Sequence, residues 1–208
     1  MKTRRRYKET IEKAYNKIAE KYYSAFSGKS NIPKALKQFG KFLKPNSKIL
    51  DAGCGGGIAS KILSKKYELI GVDISEKMLA IARKNSPNIK FIKKDITKLN
   101  FPASTFDGIC SFFVLLHLKE RDIKRLIKSF YKLLKNKGVL IISTGTKKSD
   151  KYGPFLGEKI YWGGMEKDKL INLIKDEGFR IISSKTLDYS YKKIKEKQLF
   201  IVAQKRTK

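Results

Sequence analysis

The chain is poor in residues that bind metals or form crosslinks: one histidine, His117, and two cysteines, Cys54 and Cys110, stand among 208 residues. That supply builds neither a disulfide framework nor a zinc centre, so no metal is expected and both thiols read as small buried residues. Long apolar runs are also missing. None exceeds five residues, and Phe112 to Leu116, one of these, falls far short of the roughly 20 residues that a membrane span needs. The start, Met1-Lys2-Thr3-Arg4-Arg5-Arg6, is basic, yet no apolar signal core follows it. No membrane partner is expected, and the cytoplasm is the expected compartment. Acid is the third scarcity: 19 carboxylates stand against 48 lysines and arginines, a net charge of +29.

A strong positive balance is the electrostatic footprint of nucleic-acid binding, which keeps RNA open as a partner. Only eight of the basic residues are arginine, the residue that grips phosphates and bases in a bidentate way. Lysine in such numbers beside many isoleucines fits a compositional bias equally well. Charge alone leaves both readings open, and no feature of the sequence specifies an oligomeric state. The remaining composition is that of a globular chain, 41% hydrophobic with 12 Phe and 10 Tyr. Its length suits one domain, 1–208, with residues 1–44 as an N-terminal helical cap and 45–208 as the core.

Periodicity orders the chain. Ile11, Ala14, Tyr15, Ile18, Ala19, Tyr22 and Phe26 recur at helical spacing and predict a helix over Tyr7 to Phe26, ended by Ser27-Gly28. A short helix from Pro33 to Leu43 follows. Beyond it, short apolar strands alternate with helices: strands at 48–50, 69–72, 89–92, 108–113 and 139–143, helices at 58–66, 76–84 and 123–134. That alternation predicts right-handed crossovers and a mostly parallel sheet in a three-layer α/β fold. Thr144 to Met165 reads as a long irregular loop rich in glycine and aromatic residues. A helix over 166–177 and strands at 179–186 and 198–203 close the chain. A charged stretch, Lys192 to Lys197, joins those strands, and the tail Lys205 to Lys208 is expected to fray.

Asp51-Ala52-Gly53-Cys54-Gly55-Gly56-Gly57 lies between the first strand and a helix, the context that gives a glycine loop its meaning. Glycines there let the backbone turn and a ligand approach the main chain. Asp73 ends the next strand, where doubly wound folds grip ribose hydroxyls, and Asp95 follows the third. A dinucleotide loop would need glycine where Ile58 stands, and Asp51 would repel a pyrophosphate. A ligand with an amino group and a sulfonium suits this loop better.

On these motifs the chain resembles the class I S-adenosylmethionine (SAM)-dependent methyltransferases, from Tyr15 to Ala203. The run from Asp51 to Gly57 matches the family's acid-x-Gly-x-Gly-x-Gly motif. Gly71-Val72-Asp73-Ile74-Ser75-Glu76-Lys77-Met78 is similar to the second motif, and Asp95-Ile96 to the adenine-recognition pair. Phe106-Asp107-Gly108-Ile109-Cys110-Ser111 and Leu133 to Gly138 resemble the fourth strand and the turn into the fifth. The resemblance implies a Rossmann-like three-layer fold, its seven-stranded sheet ordered 3-2-1-4-5-7-6 with strand seven antiparallel. It implies SAM as cofactor and S-adenosylhomocysteine as product. Asp51, Gly53, Cys54, Gly55, Asp73, Ile74, Met78, Asp95, Ile96 and Ser111 are then the cofactor-binding residues. Three of them have a plainer alternative: Asp51 as helix cap, Met78 as core and Asp95 as turn residue.

SAM brings an activated methyl group, so positioning the attacking atom is the main task. His117, just after the fourth strand, resembles the second His of the family's Leu-His-His-Leu segment. It is the candidate general base, with orienting its loop as the alternative. The helix carrying Tyr15 and Tyr22 resembles one that lies over the cofactor cleft in small-molecule methyltransferases. With Tyr161 and Trp162 from the aromatic loop, it would line a substrate pocket and exclude water; its tyrosines could equally be the helix's core face. Strand four ends in Cys110-Ser111-Phe112-Phe113, not the Asn/Asp-Pro-Pro-Tyr/Phe signature of many enzymes that methylate exocyclic nitrogens of bases. The expected function is methyl transfer to a small-molecule acceptor, with an RNA methyltransferase and a non-catalytic SAM-binding module as alternatives.

Overall fold

Apolar runs at two spacings generate the layers of the molecule, which a computed structural model describes for residues 2–28, 31–191 and 194–207. Short runs form five parallel strands: Lys48–Ala52 (β1), Glu68–Asp73 (β2), Lys90–Lys93 (β3), Phe106–Phe112 (β4) and Leu134–Gly145 (β5). They are apolar on consecutive residues because both faces of the sheet are covered. Helical spacing forms Lys2–Phe26 (α1), Ile32–Gly40 (α2), Ile58–Leu63 (α3), Glu76–Asn85 (α4), Glu120–Leu133 (α5) and Lys167–Asp176 (α6). Phe179–Tyr191 (β8) and Ile194–Lys205 (β9) complete the main sheet after a separate hairpin, Lys151–Phe155 (β6) and Glu158–Trp162 (β7).

The sheet order is β3-β2-β1-β4-β5-β9-β8, with β9 antiparallel to both neighbours. Without the two hairpin strands this is the expected 3-2-1-4-5-7-6 arrangement. Leu126, Ile127, Phe130 and Ile174 of α5 and α6 bury one face against Leu50, Ile109, Leu140 and Ile142. Phe39, Leu63 and Leu79 of α2, α3 and α4 bury the other against Ile49, Ile141 and Val202. The strand order reverses between β1 and β4, and the carboxyl ends of β1, β2, β3 and β4 open a crevice at that point.

Helix α1 lies outside both cores. Its Tyr7, Ile11 and Ala14 meet Ile160 and Tyr161 of β7, and Ala19 meets Met78 and Ile81 of α4. The Tyr7 hydroxyl donates to Asp122 Oδ2 at 2.6 Å, a buried tie between α1 and α5.

Three expectations change. The stretch Thr144 to Met165 is not an irregular loop: β6 and β7 pair from Lys151 with Trp162 to Phe155 with Glu158. Leu156 and Gly157, both at positive φ (51° and 96°), make the two-residue turn, the geometry that matches strand twist. The closing strands are longer than expected, because charged residues alternate across them; Asp188 stands opposite Lys197 and Tyr189 opposite Glu196. Lys205 is not frayed either. Its ammonium donates to the Tyr131 and Leu134 carbonyls at 2.8 and 2.7 Å. Met1, Lys192, Lys193 and Lys208 of the basic segments lie outside the described residues.

Candidate functional site

Gly53 is where the crevice begins. It sits at φ 80°, and a Cβ there would stand 2.1 Å from Val114 Cγ2, so only glycine lets β1 pass under the loop after β4. The Gly53 and Cys54 amides donate to the Val72 carbonyl at 2.7 and 3.0 Å, fixing the loop to the end of β2. Asp73 then receives the Gly55 amide on Oδ2 and the Ser75 amide on Oδ1, each at 2.9 Å. Burial pushes its carboxyl up, and these amides oppose that by stabilising the charged form. Ser75 caps α4 through the Met78 amide, which places Met78 beside the loop.

Asp95 holds the far end. Its Oδ1 accepts from the Thr97 amide and hydroxyl at 2.9 and 2.8 Å, and its Oδ2 pairs with the Lys8 ammonium of α1 at 2.8 Å. Lys8 also donates to the Thr97 hydroxyl. Burial would raise the Asp95 carboxyl, but Lys8 and the Thr97 donors outweigh it and hold it below the usual range.

A cleft runs between these carboxylates. Of the residues expected to bind the cofactor, Gly53, Gly55, Asp73, Ile74, Met78, Asp95 and Ile96 line it, with Lys8, Ile11, Phe113 and Val114, which sequence reasoning did not single out for the site. Lys8 carried no signal, being one lysine among many on a helix surface. Phe113 adopts φ 58°, an uncommon left-handed conformation for an aromatic residue, held by its amide donating to the Ser143 carbonyl.

A second cavity adjoins the cleft, lined by Phe26, Leu116, Phe155, Trp162, Glu196 and Gln198 among others. Tyr15, Tyr22, Phe113 and His117 line both. His117 is fully engaged. Its Nδ1–H donates to the Tyr161 carbonyl at 3.0 Å, since a carbonyl can only accept, so Nε2 accepts from the Tyr15 hydroxyl at 2.9 Å. Burial pushes the imidazole down to about 4, which keeps it neutral. Burial also raises the Tyr15 hydroxyl well above its ordinary value and keeps it a donor.

Four residues expected at the site lie off both cavities. Asp51 is 1% exposed and accepts from the Ser60 hydroxyl at 2.6 Å; burial pushes it up to about 6 against that bond and one from Cys110. Ser111 donates to the Ala52 carbonyl at 2.8 Å and so ties β4 to β1. Cys54 is buried, and burial pushes its thiol up. Tyr161, 2% exposed, stacks at a tilt on Tyr7 and donates to Asp150 at 2.6 Å, behind the pocket wall rather than in it. Strand alternation explains Tyr161, because Trp162 faces the cavity and its neighbour must face away. Among the described residues no three His, Cys, Asp or Glu gather to hold a metal ion, and no helix is long and apolar enough to cross a membrane.

A family profile described as "Methyltransferase domain" matches residues 49–138, which contain the glycine loop, Asp73 and Asp95. Among characterised proteins, phosphoethanolamine N-methyltransferase 1 of Zea mays is 30% identical over 74% of this chain and 32% of its own length. A ubiquinone biosynthesis O-methyltransferase of Coxiella burnetii is 37% identical over 46% of this chain and 42% of its own. The chain thus spans less than half the length of either. Among solved structures, a 1,6-didemethyltoxoflavin-N1-methyltransferase of Burkholderia thailandensis superposes with a TM-score of 0.78 at 16% identity, covering 98% of this chain and 91% of that one. That structure holds 1,6-didemethyltoxoflavin and S-adenosylhomocysteine.

Proposed function

We propose that the chain is a class I SAM-dependent methyltransferase, as its likeness to the methyltransferase profile and to named methyltransferases supports, and that it methylates a small molecule seated in the second cavity. The observation that carries this reading is the shared wall: Tyr15, Tyr22, Phe113 and His117 border both spaces, so a methyl group at the end of the cleft would face an acceptor across them. The cleft's chemistry fits SAM. Gly53 and Gly55 bring main chain to the wall of the cleft, Asp73 offers carboxylate oxygens for ribose hydroxyls, and Ile74, Met78 and Ile96 form apolar walls for adenine. Asp95 would accept from an amino group of the bound cofactor, and Lys8 beside it would supply a donor for a ring nitrogen.

When bound, the cofactor supplies a methyl group already activated on sulfonium sulfur. The chain's contribution is orientation and the exclusion of water. α1 and the β6–β7 hairpin roof the second cavity, joined by Lys17 with Glu158 at 3.1 Å and by Lys21 on the Leu156 carbonyl at 2.8 Å. His117 acts here as the clasp between α1 and β7, through Tyr15 on one nitrogen and the Tyr161 carbonyl on the other, and not as the base. The relatives whose names give an acceptor act on small molecules, which supports the same class for this chain. Incubation with methyl-labelled SAM and fractionated cell extract tests the reading. Label is expected in the small-molecule fraction; label confined to RNA or protein overturns it.

A further inference from the structure

The geometry points to an amine as the acceptor, held as a cation among aromatic faces and Glu196 in the second cavity and methylated on nitrogen. This rests on the methyltransferase reading and gives it a substrate class. The first support is charge. In a chain with 48 basic and 19 acidic residues, no lysine or arginine among the described residues lines this cavity, where the one formal charge among them is the Glu196 carboxylate; Lys147, Lys151 and Lys197 line the adjoining space on its far side. Gln198 donates to Glu196 Oε1 at 2.8 Å and holds it on the cavity wall. A pocket for an anionic acceptor would draw on the abundant lysines; this one excludes them.

The second support is the wall itself. Tyr22 lies 4.8 Å from Phe26 and 6.1 Å from Phe155 between ring centroids, and Phe155 lies 5.3 Å from Trp162. Three separate segments of chain thus bring aromatic rings to one space. Ring faces carry negative partial charge and attract ammonium groups, more so where water is excluded.

The third support is the charge that each acceptor would carry. Both nitrogens of His117 are occupied, and burial disfavours its charged form, so it offers no cation to an oxyanion. A phenol or alcohol that gave up its proton would become an oxyanion facing the Glu196 carboxylate and the rings, both of which disfavour negative charge. An amine needs no base during transfer. Its ammonium gives one proton to water at the open side, where Glu196 is exposed. The nitrogen lone pair then forms the N–C bond as the C–S bond breaks, with its electron pair passing to sulfur. Positive charge moves from sulfur to nitrogen inside the same aromatic enclosure, and the product leaves as an N-methylammonium ion.

Trp162 is the only tryptophan of the chain and stands in this wall, so its fluorescence reports occupancy. The probes are tetramethylammonium, its neutral analogue 3,3-dimethylbutanol, and SAM, titrated into the full chain and into Glu196→Gln. Tetramethylammonium is expected to bind about tenfold or more tightly than the alcohol, and Glu196→Gln to reduce that preference severalfold while SAM affinity stays unchanged. In parallel, phenethylamine, 4-ethylphenol and phenylacetate compete for label from SAM, and the amine is expected to take it. Equal binding of the cation and the alcohol, or label on the phenol or acid, overturns the amine while SAM binding leaves the methyltransferase reading standing. Failure of SAM itself to bind overturns both.

Discussion

Single carboxylates and one imidazole divide the work of the site, and burial sets the state of each. Asp73 faces the cleft with its oxygens already oriented by two amides, so Asp73→Ala should remove ribose contacts worth roughly 1.5–3 kcal/mol each, read as weaker SAM binding by calorimetry. Asp51 and His117 should shape stability in opposite senses. The Asp51 carboxyl is raised from 3.8 to about 6, so between those values the folded chain keeps a proton that the unfolded chain releases. Its contribution therefore falls as pH rises from about 4 through 6 and stays low above that. Asp51→Asn, which keeps an acceptor for Ser60, should gain on the wild type across that window, by on the order of 2 kcal/mol at neutral pH, in urea unfolding at several pH values. His117 is lowered from 6.5 to about 4, so the unfolded chain binds its proton first and stability is lost as pH falls from 6.5 toward 4. A neutral His117 that is not the base also leaves no inflection of its own in turnover between about pH 6 and 8; such an inflection, lost in His117→Gln, would restore it as the base.

Helix α1 is the element on which, in the proposed function, cofactor and acceptor would meet, since it gives Lys8, Ile11, Tyr15 and Tyr22 to the cleft and Phe26 to the second cavity. Its apolar residues sit in clusters apart from the two cores of the sheet. Removing residues 1–26 should therefore leave the far-ultraviolet dichroism of a folded sheet while lowering both turnover and SAM affinity. A truncated chain that unfolds would show that α1 is part of the core, and one that binds SAM normally would remove Lys8 from the cleft. The helix itself was legible from its apolar spacing, and so was the sheet order, because alternating strands and helices leave few topologies. Asp73, Asp95 and the glycines were legible because a ligand loop needs those residue types at strand ends. The hairpin was not: Gly153 and Pro154 interrupt β6, and Leu156-Gly157 lacks the usual Asn-Gly or Asp-Gly turn signal. The outer ends of β8 and β9 were hidden by alternating charge, which reads as a loop until the cross-strand partner of each residue is known. Glu196, on one of those extensions, was missed for that reason.

At the scale of the molecule, the +29 charge and the second cavity point to different partners, and the cavity is the more specific of the two. The lysines are dispersed, and many engage carboxylates at the surface, such as Lys169 with Glu120 and Lys135 with Asp107. The second cavity, roofed by α1 and the hairpin, presents rings and a carboxylate instead of the cationic track that a phosphate backbone requires. Dispersed charge can still attract RNA through counterion release, an attraction indifferent to sequence. With six to ten phosphates engaged, such binding falls by about 10³–10⁵ between 50 and 200 mM salt. A filter-binding titration of total tRNA and rRNA fragments across that range, with methyl incorporation counted in the same samples, separates the two partners. Binding should collapse with salt and no RNA should accept label. Stoichiometric labelling of one RNA near physiological salt would mean that a base enters the aromatic cavity in place of a free amine, and that the dispersed lysines hold the strand outside it.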